Sequence, residues 1–268
     1  VRRAHLSAAQ CQRAGDQLSE AQVRRRIALI APHTRWVRSF ACTEGHESIP
    51  RLARELGLKT MVGAWLSRDR ERNEREVDAL ITLARQGLVD IAVVGNEVLL
   101  RGDLPEQELL AYVARVRAAV PDDVPVGCVD AYFQFLERPA LTAACDVLLP
   151  NCYPFWEGAG IDVAAQYLRR MHGLVKAAGG DKPVIVTETG WPGSDEAPGQ
   201  APDHAVGAAV PSPDNAMRYF IDVQQWVRGE GIDLFYFSSF DEPWKLGQEG
   251  EVGTQWGLWD KQERPKYG

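Results

Sequence analysis

The sequence predicts an α/β fold built as a (β/α)8 barrel, and three observations point there. Short apolar, β-branched runs alternate with longer stretches of helical period, the pattern of βαβ units on a parallel sheet. The 268 residues suit such a barrel, for which about 250 is typical. Glu97 in VVGNEV and Glu188 in VIVTETGWP each end one of the apolar runs. They lie three βα units apart at roughly 30 residues per unit, which puts both at C-terminal strand ends, where barrels carry their chemistry.

The first element is the least regular. A closed barrel needs eight strands and seven are legible from RWVRSF onward, so one strand must precede the helix at 19 to 31 (SEAQVRRRIALIA). Its candidate, 3 to 11 (RAHLSAAQC), lacks the Val/Ile density of a buried strand and is expected to be poorly defined or altered. The strand at 35 to 40 (RWVRSF) is followed by a helix beginning near His46, and 58 to 65 (LKTMVGAW) by the charged stretch 69 to 86. The strand at 90 to 95 (DIAVVG) delivers Asn96 and Glu97. A helix then starts after Asp103, with Pro105 and Glu106 in its first turn. Strand 125 to 129 (PVGCV) precedes a helical stretch at 133 to 144, strand 146 to 149 (DVLL) precedes 160 to 178, and strand 183 to 187 (PVIVT) delivers Glu188. The helix at 213 to 229, opened by Pro213 and Asp214, and the strand at 232 to 238 (IDLFYFS) complete the alternation. Between them, 193 to 213 is rich in Pro, Gly and Ala and reads as a long loop over the same end of the barrel as Glu188.

Composition narrows the function. Net charge is −7 and the 30 Lys plus Arg are scattered, so no nucleic-acid partner is expected, whereas a neutral polymer is compatible. No run of eighteen apolar residues occurs, and VRRAHLSAAQCQ lacks the apolar core of a signal peptide. One catalytic barrel domain over 1–268 is expected, open to having been cut from a longer chain, with no membrane segment and a monomeric state. The five cysteines form no CxxC and are odd in number, and Cys128 and Cys145 read as buried small hydrophobes. His5, His33, His46, His172 and His204 have no ligand spacing, so no metal and no cofactor is expected.

Two carboxylates at the ends of two buried strands are the minimum equipment for cutting a glycosidic bond. From position alone each reads equally as a structural strand-end carboxylate paired with an Arg or a helix N-terminus. Four blocks decide further: GNEV (Gly95 to Val98), NCYPF (Asn151 to Phe155), TETGWP (Thr187 to Pro192), and FDEPWK (Phe240 to Lys245) with QWGLW behind it. In this order they resemble glycoside hydrolase family 17, the plant and fungal β-1,3-glucanases and bacterial β-glucan transglycosylases. The resemblance implies a (β/α)8 barrel, a retaining mechanism, a β-glucan oligo- or polysaccharide as partner, and action in the periplasm or outside the cell.

On that resemblance Glu97 is assigned as acid, then base, which needs a pKa raised by an apolar setting or a second carboxylate. Glu188 is assigned as nucleophile and Asn96 as the holder of the sugar 2-hydroxyl. Arg38, ending RWVRSF, is expected to orient Glu188, its alternative being a structural ion pair. Tyr153 is expected to place its hydroxyl near the nucleophile, or else to be a core tyrosine. Asp241, Glu242 and Lys245 form a charged cluster expected to set the pKa of the acid by like-charge coupling, or to be a solvated ion-pair group. Among the aromatic residues at the strand ends (Trp65, Tyr132, Phe155, Trp156, Trp191, Phe240, Trp244), Trp191 and Trp156 are favoured as sugar platforms, with Tyr132 and Phe155 beside them. Abundant Ala and Arg tilt the reading toward the bacterial transglycosylases, with a hydrolytic endo-β-1,3-glucanase as the alternative and a non-catalytic glucan-binding domain as the rival of another class.

Overall fold

Eight strands run parallel around a curled sheet in the order β6-β5-β4-β3-β2-β1-β8-β7. They are β1 Arg3–His5, β2 Trp36–Ser39, β3 Lys59–Ala64, β4 Ile91–Asn96, β5 Val126–Ala131, β6 Leu149–Asn151, β7 Ile185–Val186 and β8 Asp233–Tyr236. This computed structural model describes residues 3–5, 19–193 and 205–267. Cys11, His204, the remainder of the 3 to 11 stretch and most of the loop expected at 193 to 213 lie outside the described residues. The seam between β6 and β7 has no continuous ladder. It is joined by isolated bridges, Leu148 with Val184 and Asn151 with Glu188, and by backbone bonds such as Ile185 N to Leu148 O at 3.0 Å.

The altered first strand is present as three residues. Arg3, Ala4 and His5 align with Trp36, Val37 and Arg38 on one side, and Arg3 and Ala4 with Phe235 and Tyr236 on the other. Without this short strand, the facing backbone groups of β2 and β8 would lack ladder partners, a demand that does not depend on Val/Ile density.

Among the described residues the helices follow the strands: α1 Glu20–Ile30, α2 Ser48–Glu55, α3 Arg70–Arg85, α4 Glu106–Ala119, α5 Tyr132–Glu137, α6 Pro139–Ala144, α7 Ile161–Gly179, α8 Pro213–Glu230 and α9 Leu246–Gly253. Side-chain caps start three of them: Ser19 with Gln22 in a capping box on α1, Asp69 on α3 and Ser212 on α8. Two expectations need correction. The helical stretch at 133 to 144 splits into α5 and α6, because Pro139 removes an N–H and forces Arg138 out of the helical region, to φ −126° and ψ 82°. The sixth strand sits at Leu149–Asn151 rather than 146 to 149; Pro150 masks it in sequence, and the shift carries Asn151 to the strand end.

Met61, Ile91, Val93, Val129, Leu149, Ile185 and Phe235, drawn from β3 through β8, form one buried apolar cluster. Separate clusters seat the helices: Val77, Leu80 and Ala84 of α3 pack with Val62 and Val94, while Leu168 of α7 and Tyr219 and Val223 of α8 pack with Val186 and Leu234. The strands are therefore apolar on both faces along most of their length.

Candidate active site

Polarity changes where the strands end. Arg38 on β2, Asn96 on β4, Asp130 on β5, Asn151 on β6 and Glu188 just past β7 are all buried, yet every one is polar or charged. Buried polar groups persist only when hydrogen-bonded, and here Arg38 bonds to Asn96 and Glu188, Asn151 to the neighbouring Glu97, and Asp130 to backbone N–H groups.

Strand β4 reaches Glu97 through a bulge. Val93 pairs with Gly127 and Asn96 with Val129, so β4 takes three steps where β5 takes two. The extra residue falls around Gly95, at φ +81°, and Glu97 itself has φ +52°. A Cβ on Gly95 would lie 2.5 Å from Val98 Cγ2, so this position requires glycine on two counts. The Glu97 N–H donates to Val129 O at 2.8 Å. Beyond it, Leu99 N–H and Leu100 N–H donate to the Asp130 carboxylate at 2.9 and 3.3 Å. Arg101 turns back to donate to the carbonyls of Asn96 and Leu66 and to Asp103.

Glu188 is held from two sides. Arg38 Nη1 donates to its Oε1 at 2.7 Å and Tyr153 Oη to its Oε2 at 2.7 Å. Arg38 Nη2 donates to Asn96 Oδ1 at 2.6 Å, which fixes the orientation of that amide. Asn96 Nδ2 then has no protein partner among the described residues. Asn151 joins the two carboxyls: its Nδ2 donates to Glu97 Oε1 at 2.8 Å, and its Oδ1 accepts from the hydroxyl of Thr187, the residue before Glu188, at 2.8 Å. Glu97 Oε2 is left without a protein partner among the described residues.

Electrostatics separate the pair. Burial first, and then the negative charge of Glu188, push the Glu97 carboxyl up from 4.5 to about 7, with Asp130 adding to the rise and the Asn151 hydrogen bond opposing it. An acid that keeps its proton near neutrality thus faces a carboxylate gripped by an arginine.

Among the other expected site residues, Trp156 is 41% exposed, the large aromatic side chain that stands most open. It is backed by Phe155 at 5.1 Å and Trp256 at 5.5 Å between ring centroids, and Trp256 in turn lies 5.4 Å from Tyr153. Tyr132 is half-buried, its phenol pushed up to about 12 mainly by burial. Trp191 and Phe155 are not platforms. Trp191 is 1% exposed, packs on Phe155 and Tyr219, and donates its Nε1–H to Val210 O at 2.9 Å, while Phe155 is wholly buried. Both are apolar surfaces consumed by the core, supporting Trp156 from behind.

The 241–245 cluster is made of ion pairs. Asp241 accepts from Lys266 Nζ at 2.9 Å and from Gly257 N–H at 2.8 Å, and the buried Glu242 pairs with Lys245 at 3.1 Å. The anionic neighbours that act most on Glu97 are Glu188 and Asp130 instead. Asn151 and Trp256 fall inside the NCYPF and QWGLW blocks without a function of their own being expected for them, and Asp130 lies outside the blocks. Asn151 and Asp130 do carry the signal that selected Glu97, a polar side chain ending an apolar run. Among the described residues no cluster of His, Cys, Asp and Glu could hold a metal ion. Cys42, Cys128, Cys145 and Cys152 are buried free thiols.

The BtgE/BtgC glycoside hydrolase domain matches residues 7–257. The chain belongs to this family. Over the stretch that aligns, this BtgE/BtgC domain is 30% identical to a glucan 1,3-beta-glucosidase of Arthroderma benhamiae, covering 89% of this chain and 80% of that one. A probable glucan endo-1,3-beta-glucosidase of Aspergillus terreus is 28% identical over 93% of this chain, which spans 42% of that longer protein. The solved glycoside hydrolase family 17 beta-1,3-glucanosyltransferase of Rhizomucor miehei superposes with a TM-score of 0.84 at 29% identity, covering 98% of this chain and 94% of the other. The family 17 resemblance carried by the four blocks holds across the whole BtgE/BtgC domain.

Proposed function

We propose that this chain is a retaining enzyme of β-1,3-glucan that passes a covalent glucosyl intermediate to a second sugar hydroxyl, a β-glucanosyltransferase. The observation that carries the reading is the division of labour between the carboxyls: Glu97 keeps its proton to about pH 7, while Glu188 is gripped by Arg38 and Tyr153. Glu188 attacks the anomeric carbon, and the proton on Glu97 Oε2 goes to the departing glycosidic oxygen. Asn96 Nδ2, its other side committed to Arg38, is presented to the sugar 2-hydroxyl. Once Glu188 is an ester its charge is gone, so the Glu97 pKa falls and Glu97 becomes the base that takes a proton from the acceptor. Trp156 offers the acceptor or donor chain an apolar face.

Support for β-1,3-glucan comes from the family and from the names of the relatives, and support for transfer from the Rhizomucor miehei enzyme. Hydrolysis by water is the second reading, favoured by the glucosidase names of the fungal relatives. Product analysis on a pure β-1,3-gluco-oligosaccharide separates them: longer or branched products mean transfer, and shorter ones alone mean hydrolysis. Glu188→Gln should abolish turnover while keeping oligosaccharide binding by calorimetry; an active variant would refute the assignment.

A further inference from the structure

Asp130 ends β5 with its side chain fully buried, and no step of the cleavage uses it. Its carboxylate accepts three backbone N–H groups, from Leu99 at 2.9 Å, Leu100 at 3.3 Å and Ala131 at 2.9 Å. Leu99 and Leu100 belong to the turn that leaves the sheet at Asn96 and holds Glu97 at φ +52°. Backbone in that region is strained and persists only when neighbouring contacts over-determine it. We propose that Asp130 is a positioning residue for the proton-transferring glutamate: it fixes the turn that presents Glu97 and keeps a negative charge beside it throughout the reaction. The proposal rests on the assignment of Glu97 as acid and base.

The groups acting on Glu97 come from every neighbouring strand end. Glu188 past β7 and Asp130 on β5 both raise the Glu97 carboxyl by their negative charge, Arg101 in the turn after β4 is cationic, and Asn151 on β6 is a neutral donor; Arg38 on β2 is committed to Glu188 and Asn96. Burial pushes the Asp130 carboxyl itself upward, and the three backbone N–H donors oppose that rise and favour its charged form. Glycosylation changes this set in one place. An oxygen lone pair of Glu188 becomes the bond to the anomeric carbon, the old glycosidic bond's electrons go to the leaving oxygen, and that oxygen takes the Glu97 proton. Asp130 is then the anionic neighbour that remains, at the moment when Glu97 must act as a base. A base deprived of both neighbours is weaker, so the second half-reaction depends on Asp130 more than the first.

The test compares Asp130→Asn with wild type from pH 4 to 9 on a β-1,3-gluco-oligosaccharide and on a dinitrophenyl β-laminaribioside, whose leaving group needs no proton. On the oligosaccharide the basic limb of kcat/KM should move down by about half to one pH unit and kcat should fall about tenfold. On the aryl substrate kcat/KM should hold within about threefold, and azide, a nucleophile needing no base, should restore kcat. Asp130→Glu, which keeps the charge, should return the basic limb. An unmoved limb, or equal losses on both substrates, overturns the proposal as a merely structural role. A wild type inactive on both substrates overturns the acid–base reading and the proposal with it. Should Asp130→Asn fail to fold, carbon-13 NMR of aspartate-labelled wild type decides: burial raises the Asp130 carboxyl and its three backbone N–H donors oppose that rise, so Asp130 should be ionised at the pH where Glu97 acts as base, and a protonated Asp130 there overturns the proposal.

Discussion

At the scale of single residues, the raised pKa of Glu97 makes a kinetic and a thermodynamic prediction. The kinetic one is a bell-shaped kcat/KM with its basic limb near pH 7, where Glu97 loses its proton; a flat profile from pH 4 to 8 would contradict it. The thermodynamic one concerns folding. Between 4.5 and about 7 the folded state holds a proton on Glu97 that the unfolded chain has released, so stability falls as pH rises through that window. Each pKa unit corresponds to about 1.4 kcal/mol, so the burden at pH 8 is on the order of 3 kcal/mol. Glu97→Gln should therefore raise the Tm at pH 8 by several degrees and leave it nearly unchanged at pH 4, while kcat on an oligosaccharide falls about 10²–10⁴-fold. Paired melting curves at the two pH values check the first effect, and an equal Tm at pH 8 would show that Glu97 is not desolvated. Two carboxyls were legible in the sequence because each ended a run of β-branched residues. Trp191 and Phe155 misled because adjacency to a site residue along the chain says nothing about which way a side chain faces; at 1% and 0% exposure both are turned into the core.

At the scale of elements, the bulge on β4 is what turns a strand end into a site. A regular β4 would continue its alternation against β5, whereas the extra step at Gly95 re-aims Asn96 and Glu97 together. Gly95→Ala places a Cβ 2.5 Å from Val98 Cγ2 at φ +81°. Strain of about 1–2 kcal/mol plus that clash should lower stability by at least about 2 kcal/mol in urea unfolding. Residual folded enzyme should lose about 10²-fold in kcat, since a shift near 1 Å in a reacting group costs that much. Retained kcat would place the control of Glu97 elsewhere. Elements whose periodicity is strong were legible: β3, β4, α3, α7 and α8 fall within a residue or two of their expected limits. Those that depend on partners were not. The three residues of β1 are strand because β2 and β8 flank them, and β6 starts late because its pairing with β5 runs through Pro150 to Asn151.

At the scale of the whole molecule, the ring is thin in two places, the β6–β7 seam with its isolated bridges and the three-residue β1, and the end of the described chain ties together the elements beside the second. Trp259 stacks on Phe240 at 5.8 Å and on His33, just after α1, at 5.6 Å, while Asp241 N–H donates to Trp259 O at 2.9 Å. Beside it Glu263 accepts from Arg25 and Arg26 of α1, and Arg26 lies over the Phe240 ring at 5.1 Å. These contacts tie the segment after β8 to the helix before β2, in parallel with the short β1 ladder. The apolar and the ionic halves of this clasp should contribute unequally. Trp259→Ala removes a half-buried indole shared by two segments and should cost about 2–4 kcal/mol, near the lower range for large aromatic truncations in cores. Glu263→Ala removes a pair with the largely solvated Arg25 and one with the mostly buried Arg26, and should cost about 1–2 kcal/mol, less at high salt. Urea unfolding of both variants at low and high salt measures the split. If Glu263→Ala proves the more damaging, the clasp is electrostatic and the barrel's β8–β1–β2 region is held by charge; if neither variant loses stability, three residues of β1 suffice to close it.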